Sequence, residues 1–167
     1  MDCNRIKAEE QYMDMMIREA TEIDLPAILA LYAQLGQDDG SVLSLKEACC
    51  ILDRMNSYPD YRLYVALVAG RVVGTFSMLI MDNMAHKGAR SAILEDVVVE
   101  ERLRGKGVGK RMMAFAYEIC KEKGCYKLAL NSNRNRKDAH RFYESLGFEM
   151  HGYSFSITFS ENISHSV

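Results

Sequence analysis

Six consecutive residues, Arg104-Gly105-Lys106-Gly107-Val108-Gly109, combine the two ingredients of anion binding. Glycines permit a tight turn and let backbone amides approach a ligand closely. From Val108 onward the apolar spacing is helical, so the glycines fall where a helix begins. A helix start has unpaired N–H groups and the positive end of the backbone dipole. Arg102, Arg104, Lys106, Lys110 and Arg111 make this stretch cationic in a chain whose formal net charge is −2. Two familiar phosphate loops do not fit. A Walker loop would follow its last glycine with Lys and then Ser or Thr, but Gly109 precedes Lys110-Arg111. A dinucleotide fingerprint would need another glycine spacing and an early βαβ unit.

Several elements must position this loop. Ala92-Ile93-Leu94-Glu95-Asp96-Val97-Val98-Val99 reads as a buried strand leading into it, and Val108 to Lys123 as an amphipathic helix leading out. Gly124 terminates that helix. Upstream, Met15 to Ala20 reads as a first strand, and Thr21 or Asp24 caps a helix from Leu25 to Leu35. Gln37 to Ser41 reads as a turn. Ser44 with Glu47 forms a capping box for a second helix that fades before Pro59. Arg62 to Val68 and Val72 to Ile80 form a hairpin around Ala69-Gly70-Arg71. Downstream, Lys127 to Asn131 is a strand and Asp138 caps a helix reaching Leu146. Phe148 and Tyr153 to Phe159 supply closing strands. Early consecutive strands followed by crossover helices predict an α+β, mixed α/β, fold with helices on both faces of the sheet.

Composition sets further bounds. The 167 residues fit one domain, read here as residues 15–167 behind a polar leader, 1–14. The slightly acidic balance argues against general nucleic-acid binding. No long apolar run crosses a membrane and no hydrophobic leader directs secretion. The five cysteines form no CxxC pair and have no His at metal-ligand spacing. Reduced thiols, a cytoplasmic location and no metal are the expectation.

The loop resembles the pyrophosphate motif of the GNAT superfamily of N-acetyltransferases, [RQ]-x-x-G-x-[GA], with Arg104, Gly107 and Gly109 in its fixed places. Leu94 to Val99 before it, and Ala139-His140-Arg141-Phe142-Tyr143-Glu144-Ser145-Leu146-Gly147-Phe148 after it, resemble the same family in the same order. The resemblance implies a mostly antiparallel twisted sheet whose fourth and fifth strands splay apart around the pantetheine arm of acetyl-CoA. It implies that Arg104, Gly105, Lys106, Gly107, Val108, Gly109 and Lys110 cradle the pyrophosphate. Val97, Val98 and Val99 line the pantetheine, the first and last through their backbone.

Acetyl transfer to an amine needs a base to free the amine's lone pair and an acid to discharge the thiolate. The resemblance nominates Glu95 as base, equally readable as a structural carboxylate, and Tyr143 as acid beside the cofactor. Strand alternation puts Asp96 on the face opposite Glu95, and His140 reads as a helix-surface residue. Family members carry an asparagine where this chain has Arg136, so Asn131 and Asn133 are the nominated cofactor contacts.

The acceptor is less legible. The run from Asn131 to Tyr143 is similar to aminoalkylphosphonate N-acetyltransferases, and a small primary amine is the first expectation. Arg62, His86, Lys87 and Arg90 are candidate cations for an anionic acceptor, each also readable as ordinary surface charge. A protein or peptide amine is the alternative acceptor, and a non-catalytic acyl-CoA sensor the alternative class. A homodimer is left open.

Overall fold

The computed structural model describes residues 15–35 and 41–157. The expected leader and most of the 37–41 turn lie outside the described residues. Cα packing divides the chain into two compact units, one ending at Ala129 and one starting at Leu130.

The first unit is built on a sheet in the order β1-β2-β3-β4-β5. Its strands are β1 (Met16–Glu19), β2 (Tyr61–Val68), β3 (Arg71–Met81), β4 (Arg90–Val99) and β5 (Cys125–Leu130). The first three pairings are antiparallel, and the β4–β5 neighbours are the parallel pair. The mixed α+β sheet predicted from the sequence is therefore present. Its helices are α1 (Leu25–Ala33), α2 (Leu45–Ser57) and α3 (Val108–Glu122), the last being the crossover from β4 to β5.

Local sequence explains the helix ends. A short 3₁₀ turn, Glu22–Asp24, precedes α1. There Asp24 accepts from the Thr21 amide at 2.8 Å and from its hydroxyl at 3.0 Å. Asp24 also takes two hydrogen bonds from Arg18, at 2.7 and 2.9 Å. That double clamp ties β1 to α1, and the neighbouring guanidinium holds the buried Asp24 carboxyl below its ordinary range. Ser44 caps α2 as expected, accepting from the Glu47 amide at 3.3 Å while its own amide donates to the Glu47 carboxylate at 2.8 Å.

The sheet is buried on both sides. On one face Leu63, Val65 and Leu67 of β2 pack with Ala20, Leu25, Ile28, Ala48 and Leu52, sealing α1 and α2 to the sheet. On the other, Tyr64 stacks on Phe76 at 5.0 Å and meets Phe115 of α3 edge-on at 5.6 Å. Met112 of α3 is fully buried. A Cβ on Gly74 of β3 would lie 2.7 Å from its sulfur, so glycine lets α3 approach the sheet this closely.

The second unit holds α4 (Lys137–Glu144). The sequence placed Asp138 as its cap and Leu146 at its end, and both bounds are corrected. Arg136 occupies the N-cap position with no side-chain cap. Asp138 lies inside the first turn, paired with Arg141, where a carboxylate complements the helix dipole. The helix stops at Glu144, and a turn follows through Gly147, whose φ of 88° suits glycine. Phe148 and residues 153–157 form no strand. Tyr153, Phe155 and Ile157 alternate as a strand would, but all three side chains are exposed. Alternation supplies a pleat, while a strand also needs a ladder partner. The last two residues of that expected strand lie outside the described residues.

Candidate active site

The site grows from the C-terminal end of β4. Beyond Val99 the chain makes a 3₁₀ turn at Glu101–Leu103 and then enters the glycine loop. Gly105 and Gly107 adopt φ of 74° and 89°, a left-handed conformation that a side chain disfavours. Gly107 is the N-cap of α3 and provides no capping side chain. Its carbonyl takes the Arg111 amide at 3.1 Å, which leaves the amides of the first helical turn, from Gly107 to Lys110, for a ligand.

Space and charge fit the same purpose. A Cβ at Gly105 or Gly107 would meet no atom within 4 Å, so the space beside both is open. Arg104 Nε donates to the Val99 carbonyl at 3.3 Å, fastening the loop to the end of β4. Arg102, Arg104, Lys106, Lys110 and Arg111 are exposed. Among the described residues no carboxylate pairs with any of them. An open cradle of backbone donors ringed by unneutralised cations fits a pyrophosphate. Val97, Val98, Val99 and the run from Arg104 to Lys110 thus form one continuous strand-loop-helix unit.

Further back on β4 the regular ladder is interrupted. Ser77 faces Glu95 and Thr75 faces Val98, so two residues, Asp96 and Val97, stand opposite Phe76 alone. This is a β-bulge, which leaves its extra residue outside the hydrogen-bonded ladder. Asp96 takes a φ of 52°. The period-two argument that set Asp96 opposite Glu95 therefore fails here, because the bulge breaks the alternation it relied on. Burial raises the Asp96 carboxyl above its ordinary range. Burial likewise raises the Tyr32 phenol of α1, and the nearby charge of Asp96 raises it further. The sequence reading set Asp96 aside on that alternation and took Tyr32 only as part of a helix's apolar face; a bulge carries no local signal when no glycine marks it.

The second unit carries the remaining nominated residues. Asn131 and Asn133 are exposed, and the Asn133 side chain accepts from the Asn135 amide at 2.9 Å. Between them the Ser132 hydroxyl is enclosed without a hydrogen-bond partner among the described residues. His140 approaches the Asn133 carbonyl at 3.0 Å, a local role that agrees with its reading as a helix-surface residue. Tyr143 packs against Phe142 at 5.1 Å and Phe148 at 5.6 Å. Burial raises its phenol above the ordinary value, although Arg136 pulls the other way. Such a phenol stays protonated at neutral pH, as an acid must before it acts.

The candidate acceptor cations divide. Arg62 donates to the carbonyls of Tyr58, Pro59 and Tyr61 at 2.8–3.2 Å, and Arg90 pairs with Asp82 at 2.9 Å. Both hold the turn structure around β2 and β4. His86 stacks on Tyr126 at 4.4 Å, and Lys87 is exposed beside it. No described helix is long and apolar enough to cross a membrane. No group of three His, Cys, Asp or Glu side chains suited to a metal occurs among the described residues.

A bulged mixed sheet whose fourth strand feeds a cationic glycine loop at a helix start defines the chain as an α+β protein. The model described as the Acetyltransferase (GNAT) family matches residues 16–148, and the chain belongs to that family of N-acetyltransferases. Glucosamine 6-phosphate N-acetyltransferase of Trypanosoma brucei brucei is 34% identical over 140 residues, covering 83% of this chain and 92% of that protein. Aminoalkylphosphonate N-acetyltransferase of Salmonella typhimurium is 28% identical over 142 residues, covering 84% and 88%. The crystal structure of glucosamine-6-phosphate N-acetyltransferase from Arabidopsis thaliana superimposes with a TM-score of 0.77 at 27% identity, covering 87% of this chain and 99% of that one.

Proposed function

We propose that this enzyme transfers the acetyl group of acetyl-CoA to a small primary amine that carries a phosphate or phosphonate, by direct attack in a ternary complex. The open cradle at Gly105 and Gly107 is the observation that carries the donor half. The acceptor half rests on the two relatives named for an amino-sugar phosphate and for aminoalkylphosphonates. Residues 15–167 act as one catalytic domain in this reading.

In the reaction, amides from Gly107 to Lys110 bind the pyrophosphate, and Arg104 and Lys106 neutralise it. Backbone groups of Val97 and Val99 pair with the pantetheine amides while Val98 stays in the core, 2% exposed. Asn131, Asn133 and the unpartnered Ser132 hydroxyl contact the donor beyond β5. A carboxylate on β4, for which Glu95 is the sequence candidate, takes a proton from the acceptor ammonium. The freed amine lone pair then attacks the thioester carbonyl. Backbone N–H groups released by the bulge stabilise the resulting oxyanion. Collapse breaks the C–S bond, and Tyr143 protonates the departing sulfur.

The test is thiol release from acetyl-CoA against glucosamine 6-phosphate, aminoalkylphosphonates, polyamines and peptides, with melting temperature followed in parallel. Release with the phosphorylated or phosphonylated amines supports the proposal. Release with peptides alone moves the acceptor to protein amines. Stabilisation by acetyl-CoA without any release identifies a non-catalytic acyl-CoA sensor.

A further inference from the structure

We infer that Cys120 and Cys125 form a dithiol site at the junction of α3 and β5, which a small-molecule disulfide oxidises to an intramolecular disulfide. The inference is independent of the acetyltransferase reading, and neither thiol takes part in the proposed acetyl transfer.

The placement follows from how α3 ends. Lys123 is its C-cap, and Gly124 after it takes a φ of 69°. The Gly124 amide donates to the Lys121 carbonyl at 3.1 Å. This left-handed glycine closure turns the chain back. It brings the residue after the glycine against the residue three places before the C-cap, where an apolar pair commonly sits. Here the two places hold Cys125, the first residue of β5, and Cys120, in the last turn of α3. Both thiols are free, and the two side chains hydrogen-bond to each other. A disulfide forms without backbone movement only where the fold already brings two cysteine side chains together, and thiols in hydrogen-bond contact meet that need. The other described cysteines do not share the arrangement. Cys49 and Cys50 are consecutive residues of α2, and consecutive helical side chains do not face each other.

The surroundings give the two sulfurs different roles. Cys120 is 5% exposed, while Cys125 is only half-buried, so an incoming disulfide reaches Cys125 first. Burial raises both thiols, Cys120 to about 12. Cys125 is drawn part of the way back by the hydrogen bond from Cys120 and by the charges of Arg90 and Lys123, with Asp60 opposing. Asp60 pairs with Lys123 at 2.8 Å and with Arg90 at 3.8 Å, which ties both cations to this junction. The thiolate therefore forms on Cys125, and Cys120 is the resolving partner. Because burial keeps Cys125 mostly protonated, exchange is slow at neutral pH and quickens as pH rises.

The exchange balances. The Cys125 thiolate attacks one sulfur of R–S–S–R, forming Cys125–S–S–R and expelling RS⁻. Cys120 then loses its proton and attacks the Cys125 sulfur, and a second RS⁻ leaves. Two protein thiols are oxidised and one small disulfide is reduced to two thiols. The protons released by the cysteines end on the two departing RS⁻ groups. The new bond tethers α3, whose first turn builds the cradle, to the strand that α3 delivers.

The test treats the reduced full chain with oxidised glutathione at about pH 8.5, alkylates the remaining thiols and maps tryptic peptides by mass spectrometry. Trypsin cuts after Arg111, Lys121, Lys123 and Lys127, so the expected bond joins peptide 112–121 to peptide 124–127. That cross-link should exceed any glutathione adduct on Cys125 by about tenfold. C120S lacks the resolving thiol and should instead accumulate the Cys125 adduct, about tenfold above wild type. The wild-type map decides the site by itself, whatever C120S does to folding. Thiols already in contact should close without distortion, so oxidised wild type should melt no lower than reduced. A lasting adduct on Cys125 in wild type, a Cys125 left fully alkylated, or a bond from Cys125 to any other cysteine would overturn the assignment. So would an oxidised form whose Tm falls by more than about 4 °C.

Discussion

Replacing Gly107 with alanine separates backbone strain from ligand contact. Gly107 has φ of 89° and a Cβ there would meet no protein atom within 4 Å. The folded protein therefore suffers no clash, only the left-handed conformation, at about 1–2 kcal/mol. For a chain this size that lowers Tm by about 2–8 °C. The strain is present with and without ligand, so it cancels from the dissociation constant. Any loss of affinity then reports the methyl group in the space where a phosphate oxygen should approach. Losing one charge-assisted hydrogen bond is worth about 1.5–3 kcal/mol, or roughly 10- to 150-fold in Kd for acetyl-CoA.

Gly88 provides a matched control. Its φ is 80°, and a Cβ there also meets nothing within 4 Å, but it lies in the turn before β4 rather than in the cradle. Gly88→Ala should lose similar stability and keep wild-type affinity. Isothermal calorimetry with acetyl-CoA and urea denaturation of both variants make the comparison. Equal affinity in Gly107→Ala and wild type would refute the cradle, however large the stability loss.

Three further outcomes are expected. Gly74→Ala should destabilise the fold by about 1–3 kcal/mol in urea, because its Cβ would lie 2.7 Å from the buried Met112 sulfur and 3.1 Å from the Val98 carbonyl; a loss below about 0.5 kcal/mol would show that α3 has slack. Asp24→Asn should cost about 2–3 kcal/mol at pH 7 by breaking the Arg18 clamp. Because Arg18 holds the folded Asp24 carboxyl below its unfolded range, that stability is fully present above the unfolded value and disappears as pH falls through the folded one. Denaturation of wild type and variant should therefore converge in acid, and a pH-independent gap would contradict the linkage. Tyr143→Phe should lower kcat about 100-fold with acetyl-CoA affinity unchanged; an unaffected kcat would remove the phenol from the mechanism.

The sequence by itself determined the glycine loop and its place at a helix start, because glycine spacing and helical periodicity are local properties. It determined the α1 and α2 segments, the Arg62–Ile80 hairpin and the Ser44–Glu47 cap for the same reason. Its family motifs then pointed to an acetyl donor, and the match over residues 16–148 agrees. It misplaced the start of α4, where Asp138 looked like a cap but fills the first turn beside Arg141. It expected a closing strand over 153–157 from alternation alone, although a strand exists only when a partner completes its ladder.

Tertiary structure alone decided the bulge. Whether Asp96 follows Glu95 in strict alternation depends on how β4 registers against β3, and register belongs to the pairing of two strands rather than to either one. The same is true of Gly74, whose role depends on the distance of closest approach between β3 and α3. The glycine loop was legible because its turn and its helix start lie within six consecutive residues. Asp96 was not, because the position of its carboxylate is set by β3, a strand that precedes it in the chain.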